Sequence, residues 1–311
     1  MVRAMIDRRS RCLTAVILAF AAGCGGGKNG AGAAAQPEGA EAAGSAAEAP
    51  APRVSPGQLP DGMSEEEFKA LHELREEAAP PRRGQMIEVA GARAYLSLPE
   101  GASAPMPGVI VIHEWWGLNE HIMHWADRLA AEGYAALAVD LYGGVVATTR
   151  DEAMAAVKKV DDARALEILR AAHRFLVEDE RVRAPRTASI GWCFGGGWSL
   201  GLAIAEPELD AAVIYYGRLP ESAEALRPIR AALLGVFGNQ DEGIPPAAVD
   251  AFEANLEKAG VRNRILRYDA PHAFANPSGK AYHQDDAAAA WKEVRAFLAE
   301  HLRPPAPPAS P

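Results

Sequence analysis

The sequence predicts an α/β fold: a mainly parallel, doubly wound sheet flanked by helices on both faces. Short apolar runs alternate with stretches of helical periodicity, the pattern of a parallel sheet with crossover helices. Several runs lack polar alternation, as strands covered on both faces do. Turn-forming residues close most of them.

Taken in order, Met86 to Val89 and Ala94 to Leu98 read as two strands joined by a turn at Ala90-Gly91. Val109-Ile110-Val111-Ile112 reads as a buried strand. Ile122, Trp125, Leu129 and Ala130 then mark one face of a helix that stops at Gly133. Ala135 to Val139 is the next buried strand, and a helix from Val160 to Phe175 leads to a strand around Ala188-Ser189-Ile190. A helix from Gly197 to Ala205, strands at Ala211 to Tyr215 and Ala232 to Phe237, and a helix from Pro246 to Ala259 follow. Arg264 to Tyr268 and Ala287 to Leu302 complete the series as a last strand and a last helix. The charged run Asp151-Glu152, Lys158-Lys159 and Asp161-Asp162 reads as a solvated helical face. No internal repeat is visible.

The ends read differently. Arg3, Arg8, Arg9 and Arg11 precede an apolar run from Cys12 to Phe20, and small residues lead to Cys24. That is a secretory signal, too short to span a bilayer, which takes about 20 apolar residues. Leu18-Ala19-Phe20-Ala21-Ala22-Gly23-Cys24 also resembles the lipobox of bacterial lipoproteins. The resemblance implies cleavage before Cys24 and a lipid on its thiol. The expected protein is then an exported, membrane-anchored lipoprotein, at the periplasmic or outer-membrane face in a Gram-negative host. Ala21 stands where leucine is commonest, and an ordinary signal cut near the same place is the competing reading.

Residues 24–62 are Gly, Ala, Glu and Pro with almost no large apolar side chain, so they cannot offset the entropy of ordering. They read as a flexible tether. Ser64-Glu65-Glu66-Glu67 followed by Phe68, Leu71, Leu74 and Ala78 reads as one short capped helix ahead of the sheet. The expected organisation is a signal at 1–23, the tether at 24–62, one α/β domain at 63–303 and a proline-rich tail at 304–311. Net charge is -9 with no basic cluster beyond the signal, which argues against a nucleic-acid partner. The three cysteines, Cys12, Cys24 and Cys193, match neither a disulfide framework nor a zinc pattern. His121 and His124 lie three apart on a helix but lack a third ligand at metal spacing, so no metal and no cofactor are expected.

In a doubly wound sheet the chemistry collects in loops beyond the carboxyl ends of strands. Three such segments carry candidate groups. Gly191-Trp192-Cys193-Phe194-Gly195-Gly196-Gly197 is a nucleophile elbow, G-x-S-x-G, with cysteine in the serine position. Glycines flank the nucleophile because a strained turn there leaves no room for side chains. Amides at the start of the following helix favour a thiolate, and the Phe194 N–H is placed to donate to an oxyanion. A buried structural cysteine is the plain alternative. Asp241, in Gly238-Asn239-Gln240-Asp241-Glu242-Gly243-Ile244-Pro245, and His272, in Tyr268-Asp269-Ala270-Pro271-His272-Ala273-Phe274, follow two later strands. Alone, Asp241 reads as a helix cap and His272 as a surface histidine. Together the three keep the order nucleophile, acid, histidine of α/β-hydrolases.

Over roughly Arg93 to Leu302 the sequence resembles the dienelactone hydrolase family, on G-W-C-F-G-G, Val111-Ile112-His113-Glu114-Trp115-Trp116-Gly117-Leu118, Asp140-Leu141-Tyr142, G-N-Q-D-E-G-I-P and P-H-A-F-A-N-P. The resemblance implies an α/β-hydrolase fold and a cysteine hydrolase of esters or lactones. It implies Cys193 as nucleophile, His272 as base and Asp241 as the orienting acid. Glu114 would manage the cysteine proton, the N–H groups of Trp115 and Phe194 would form the oxyanion hole, and Tyr142 would line the site. One departure stands out. The family's two arginines, which pair a substrate carboxylate, are replaced here by Asn276 and by Gly143 or Gly144. A neutral or larger ester or lactone is therefore expected, with Trp115, Trp116, Trp192 and Trp198 as apolar walls; core packing is the other reading of those tryptophans. A monomer acting on a small molecule is expected. The competing functions are a non-catalytic, membrane-tethered binding lipoprotein that kept the fold, and a thiol redox protein, for which no resolving cysteine is left.

Overall fold

The structure, a computed structural model, describes residues 82–303. The signal, Cys24, the tether, the helix expected near 64–78 and the tail lie outside those residues. Eight strands are present: β1 (Gln85–Val89), β2 (Ala92–Ser97), β3 (Gly108–Ile112), β4 (Ala135–Val139), β5 (Thr187–Trp192), β6 (Ala211–Tyr215), β7 (Ala232–Gly238) and β8 (Asn263–Tyr268). They form one sheet in the order β1-β2-β4-β3-β5-β6-β7-β8. β1 and β2 run antiparallel to each other and β2 to β4, while every pairing from β4 to β8 is parallel. This is the α/β-hydrolase arrangement. The helices are α1 (Glu120–Ala131), α2 (Arg150–Lys159), α3 (Asp162–Glu178), α4 (Phe194–Ala205), α5 (Ala223–Leu226), α6 (Pro246–Ala259) and α7 (Gln284–Leu302).

Because successive strand residues point to opposite faces, the apolar runs divide between two cores. Ile110 and Ile112 of β3 and Leu233 and Phe237 of β7 pack with Leu169 and Leu176 of α3, Leu202 of α4 and Phe252 of α6. Val109 and Val111, with Leu234 and Val236, pack with Ile122 and Leu129 of α1 and Trp291 and Leu298 of α7. The central strands β3 to β7 are buried on both sides, which is why their runs are largely apolar with no polar alternation.

Two of the differences from the sequence reading have a clear physical cause. The helix read from Val160 begins instead at Asp162, and the charged run ahead of it forms a helix of its own that ends at Lys159: Thr149 caps α2 by accepting the Glu152 amide, and Asp161 caps α3 by accepting that of Arg164. The charged run therefore spans a helix end and a new helix start, where side-chain caps outcompete continuation. Helix α4 begins at Phe194, three residues before the expected start, so the glycine run is helical. Glycine is a poor helix former. Here the close approach of strands selects it: a Cβ on Gly195 would sit 2.3 Å from the Ile112 carbonyl oxygen and one on Gly196 2.4 Å from that of Tyr215.

Candidate active site

The carboxyl ends of β3, β5, β6, β7 and β8 converge on one edge of the sheet. β3 lies between β4 and β5, so the loops after β3 and β5 diverge and open a crevice above them. Cys193 sits there between β5 and α4. Its φ of 52° and ψ of -114° put a non-glycine residue in strained backbone. The turn is held from below, where the Cys193 amide donates to the Tyr215 carbonyl at 3.0 Å. It is tight enough that a Cβ on Gly191 would meet the Gly195 oxygen at 2.1 Å. Cys193 is half-buried, and Phe194 is the first residue of α4. The Phe194 amide has no carbonyl a turn behind it to bond, as at any helix start.

His272, in the loop after β8, lies near enough to Cys193 for the thiol to raise the pKa of its ring. Its Nδ1 donates to Asp241 Oδ2 at 2.6 Å. Asp241 follows β7 and is 3% exposed. Its second oxygen accepts the amides of Gly243 at 2.9 Å and Ile244 at 3.0 Å. Burial works against charge on both partners. The hydrogen bond and opposite charge of His272, with the two amides, nevertheless hold the Asp241 carboxyl below its usual range. Burial alone would depress His272, but its bond to Asp241 and the nearness of Cys193 push it up to about 10. The fold thus brings the three candidates, distant in sequence, to one place, with His272 hydrogen-bonded to Asp241 and electrostatically coupled to Cys193.

Glu114 follows β3 and is 3% exposed. Burial raises its carboxyl to about 7, against the lowering effects of the His272 charge and a hydrogen bond from Asn276. Asn276, 4% exposed, gives that bond from Nδ2 to Glu114 Oε2 at 2.6 Å. Standing where the family carries a substrate-pairing arginine, Asn276 is committed to Glu114. Tyr142 is where the sequence placed it, beside the elbow, its ring 5.2 Å from that of Phe194. Its hydroxyl is buried without a hydrogen-bond partner among the described residues, and burial together with the Cys193 charge raises its pKa.

The tryptophans separate. Trp192 follows Ala188 and Ile190 on the alternate face of β5 and packs on Trp125 at 5.1 Å and Tyr215 at 5.5 Å. Strand alternation sends it into the core, so the wall position expected for it is not where it lies. Trp116 packs with Ala147 and Ala153, with Trp115 against it at 4.7 Å, and together they fasten the loop after β3 to α2. Trp198 lies in the core cluster beneath α4. His121 accepts the Trp125 indole N–H at 3.1 Å, an intrahelical contact on α1. No group of three or more His, Cys, Asp or Glu able to hold a metal occurs among the described residues.

Two site residues were missed by the sequence reading. His113 is fully buried between the loops: Nδ1 donates to the Glu114 carbonyl at 2.6 Å and Nε2 accepts the Leu141 amide at 3.1 Å. One nitrogen must donate and the other accept, so the ring is neutral, and burial lowers its pKa in the same direction. It ties the backbone at Glu114 and Trp115 to the Tyr142 loop. Tyr216, directly after β6 with φ of 34°, places its ring 5.0 Å from His272. The signal for both was position: each follows a buried strand immediately.

Residues 92–302 match the dienelactone hydrolase family. A protein of Synechocystis, provisionally named a carboxymethylenebutenolidase, is 32% identical over 70% of this chain and 94% of its own length. A relative of the same provisional name from Saccharolobus solfataricus is 29% identical over 66% of this chain and 93% of its own. Among solved structures, a provisionally assigned dienelactone hydrolase of Klebsiella pneumoniae is 30% identical with a TM-score of 0.64, covering 70% of this chain and 97% of its own. A structure described as a dienelactone hydrolase-like promiscuous phosphotriesterase from metagenomic libraries is 27% identical with a TM-score of 0.65. With that match spanning most of the chain and this fold beneath it, the protein belongs to the dienelactone hydrolase family, as a hydrolase of the α/β-hydrolase fold.

Proposed function

We propose that this protein hydrolyses a neutral ester or lactone through an acyl-Cys193 intermediate. The observation that carries the reading is the line from Cys193 on its strained elbow through His272 to Asp241 at 2.6 Å. In the proposed reaction the thiolate sulfur attacks the ester carbonyl carbon, and the carbonyl π pair becomes an oxyanion. The amides of Phe194 and Trp115 stabilise that charge, each by about 2.7–4 kcal/mol on the scale of known oxyanion donors. Collapse expels the alkoxide, which takes its proton from His272. Water, deprotonated by His272, then cleaves the thioester to release the acid and restore the thiol. Asp241 holds the ring with its Nε2 lone pair available and offsets the positive charge. Glu114, which interacts with His272, acts as the second proton-handling group of the site.

Neutrality of the substrate follows from what stands at the two positions of the absent arginines. Gly143 and Gly144 form a left-handed turn organised by Asp140, which accepts the amides of Tyr142 at 2.8 Å and Gly144 at 2.5 Å. Asn276 is occupied by Glu114. Neither supplies the paired cationic donors that a carboxylate requires.

The test uses the full-length protein and a panel of activated aryl esters, lactones with and without a carboxylate, and a phosphotriester. Expected are turnover of neutral esters, a trapped acyl group on Cys193 by mass spectrometry, and no turnover in Cys193→Ala. Undiminished hydrolysis by Cys193→Ala would sink the mechanism, and a panel with no turnover at all would favour a tethered binding protein. We further propose that the protein is an exported lipoprotein anchored through Cys24. Mass spectrometry of the membrane fraction tests this: an unlipidated, cleaved N-terminus contradicts it.

A further inference from the structure

We propose that Asn276 is a positioning residue for Glu114: it dictates which carboxyl oxygen holds the proton and keeps the other as an obligatory acceptor. The inference rests on the cysteine-hydrolase reading and concerns the same site. It begins with the Asn276 amide, whose two ends are chemically different. Oδ1 accepts the Ser278 amide hydrogen at 2.8 Å. An amide NH2 cannot take that place, because it would set donor against donor. The side chain therefore has one permitted orientation, with Nδ2 facing Glu114.

The backbone holds the same residue on both sides. The Asn276 amide donates to the Ala273 carbonyl at 3.0 Å, and the Asn276 carbonyl accepts from Gly279 at 3.0 Å. The loop after His272 is thereby folded into two consecutive turns with Asn276 at their junction. At 2.6 Å from Nδ2, Glu114 Oε2 can only accept. A proton carried by Glu114 is then placed on Oε1.

The titratable groups that face Glu114 come from three loops. His272, after β8, favours its ionised form, and Tyr216, after β6, has its hydroxyl pushed up partly by Glu114. His113, neutral, binds the Glu114 backbone carbonyl. Among these neighbours Asn276 is the one that distinguishes the two carboxyl oxygens by a direct hydrogen bond from a side chain of fixed sense. Without its donor, ionised Glu114 loses a charge-assisted bond and its titration moves upward.

The test follows the pH dependence of Cys193 alkylation by iodoacetamide in the full-length protein, alongside hydrolysis of a neutral aryl ester. Wild type is expected to show an inflection near 7 that disappears in Glu114→Gln. Asn276→Ala is expected to move it up by about 1–2 pH units, the worth of a bond to a charged group. Asn276→Asp, which keeps the volume but turns a second acid toward Glu114, is expected to move it further up and serves if the alanine variant fails to fold. In the Glu114→Gln background Asn276→Ala is expected to leave the profile alone. An inflection unmoved by both substitutions, or moved equally with Glu114 absent, overturns the proposal. Because alkylation needs no turnover, that outcome is separable from failure of the hydrolase reading, which shows as ester hydrolysis surviving Cys193→Ala.

Discussion

Asp241→Asn preserves shape and removes one acceptor, and the structure says which way the new amide must face. The Gly243 and Ile244 amides, at 2.9 and 3.0 Å from Oδ1, demand a carbonyl oxygen on their side. The NH2 group is then turned to His272 Nδ1, so that nitrogen must accept and the ring proton moves to Nε2. With its proton there, the ring has no lone pair for the Cys193 thiol. The lost charge-assisted bond is worth about 1.5–3 kcal/mol, or about 1–2 pH units at 1.36 kcal/mol each. His272, pushed up to about 10 in the native site, is expected to titrate at least that much lower, and lower still once the carboxylate charge is gone. The drop in kcat is expected to be on the order of 10⁴-fold, the scale of the same exchange in serine-protease triads. Hydrolysis of a neutral aryl ester from pH 6 to 10 reads the rate, ring NMR reads His272, and circular dichroism checks the fold. A folded Asp241→Asn variant within about threefold of wild-type kcat, or with unchanged His272 titration, would refute the reasoning.

Three further expectations concern stability. Glu114 is buried and raised from 4.5 to about 7, so the folded state holds its proton more tightly than the unfolded chain across that window. Its contribution is complete below pH 4.5 and is lost as pH rises through 7, a change on the order of 3 kcal/mol. Urea unfolding at pH 5 and pH 8 is expected to show this fall in wild type and to lack it in Glu114→Gln; parallel falls would contradict it. Gly191→Ala drives a Cβ to 2.1 Å from a backbone oxygen and is expected to cost more than about 4 kcal/mol or to abolish accumulation of folded protein. Gly197→Ala, whose Cβ would meet nothing closer than 3.5 Å, is expected to be tolerated and to gain up to about 1 kcal/mol from helix propensity. Thermal melts of the two variants compare them directly.

Much of the fold was legible in the chain because β3, β4, β6 and β7 are apolar on both faces, and that requirement prints a continuous run. Three strands ending in G-W-C-F-G-G, G-N-Q-D and A-P-H were enough to name Cys193, Asp241 and His272 as a group. The break at Val160-Asp161 was not legible, because a side-chain cap competes with helix continuation and charge alone does not reveal the winner. The early start of α4 was hidden for a related reason: propensity argues against helical glycine, and only the nearness of the β3 and β6 carbonyls makes it necessary.

By itself, then, the sequence determined the alternating strands, the family resemblance and the residue types that do proton and acyl chemistry. These are local properties, written in periodicity and motif. Tertiary structure decided the partners. It sent Trp192 into the core, because strand alternation gives that side chain to the α1 and α7 face. It put Asn276 on Glu114 and clamped His113 between two loops, because these contacts join residues up to 162 positions apart. A hydrogen bond's donor and acceptor sense depends on both ends and their other partners, and only the folded chain brings both ends together.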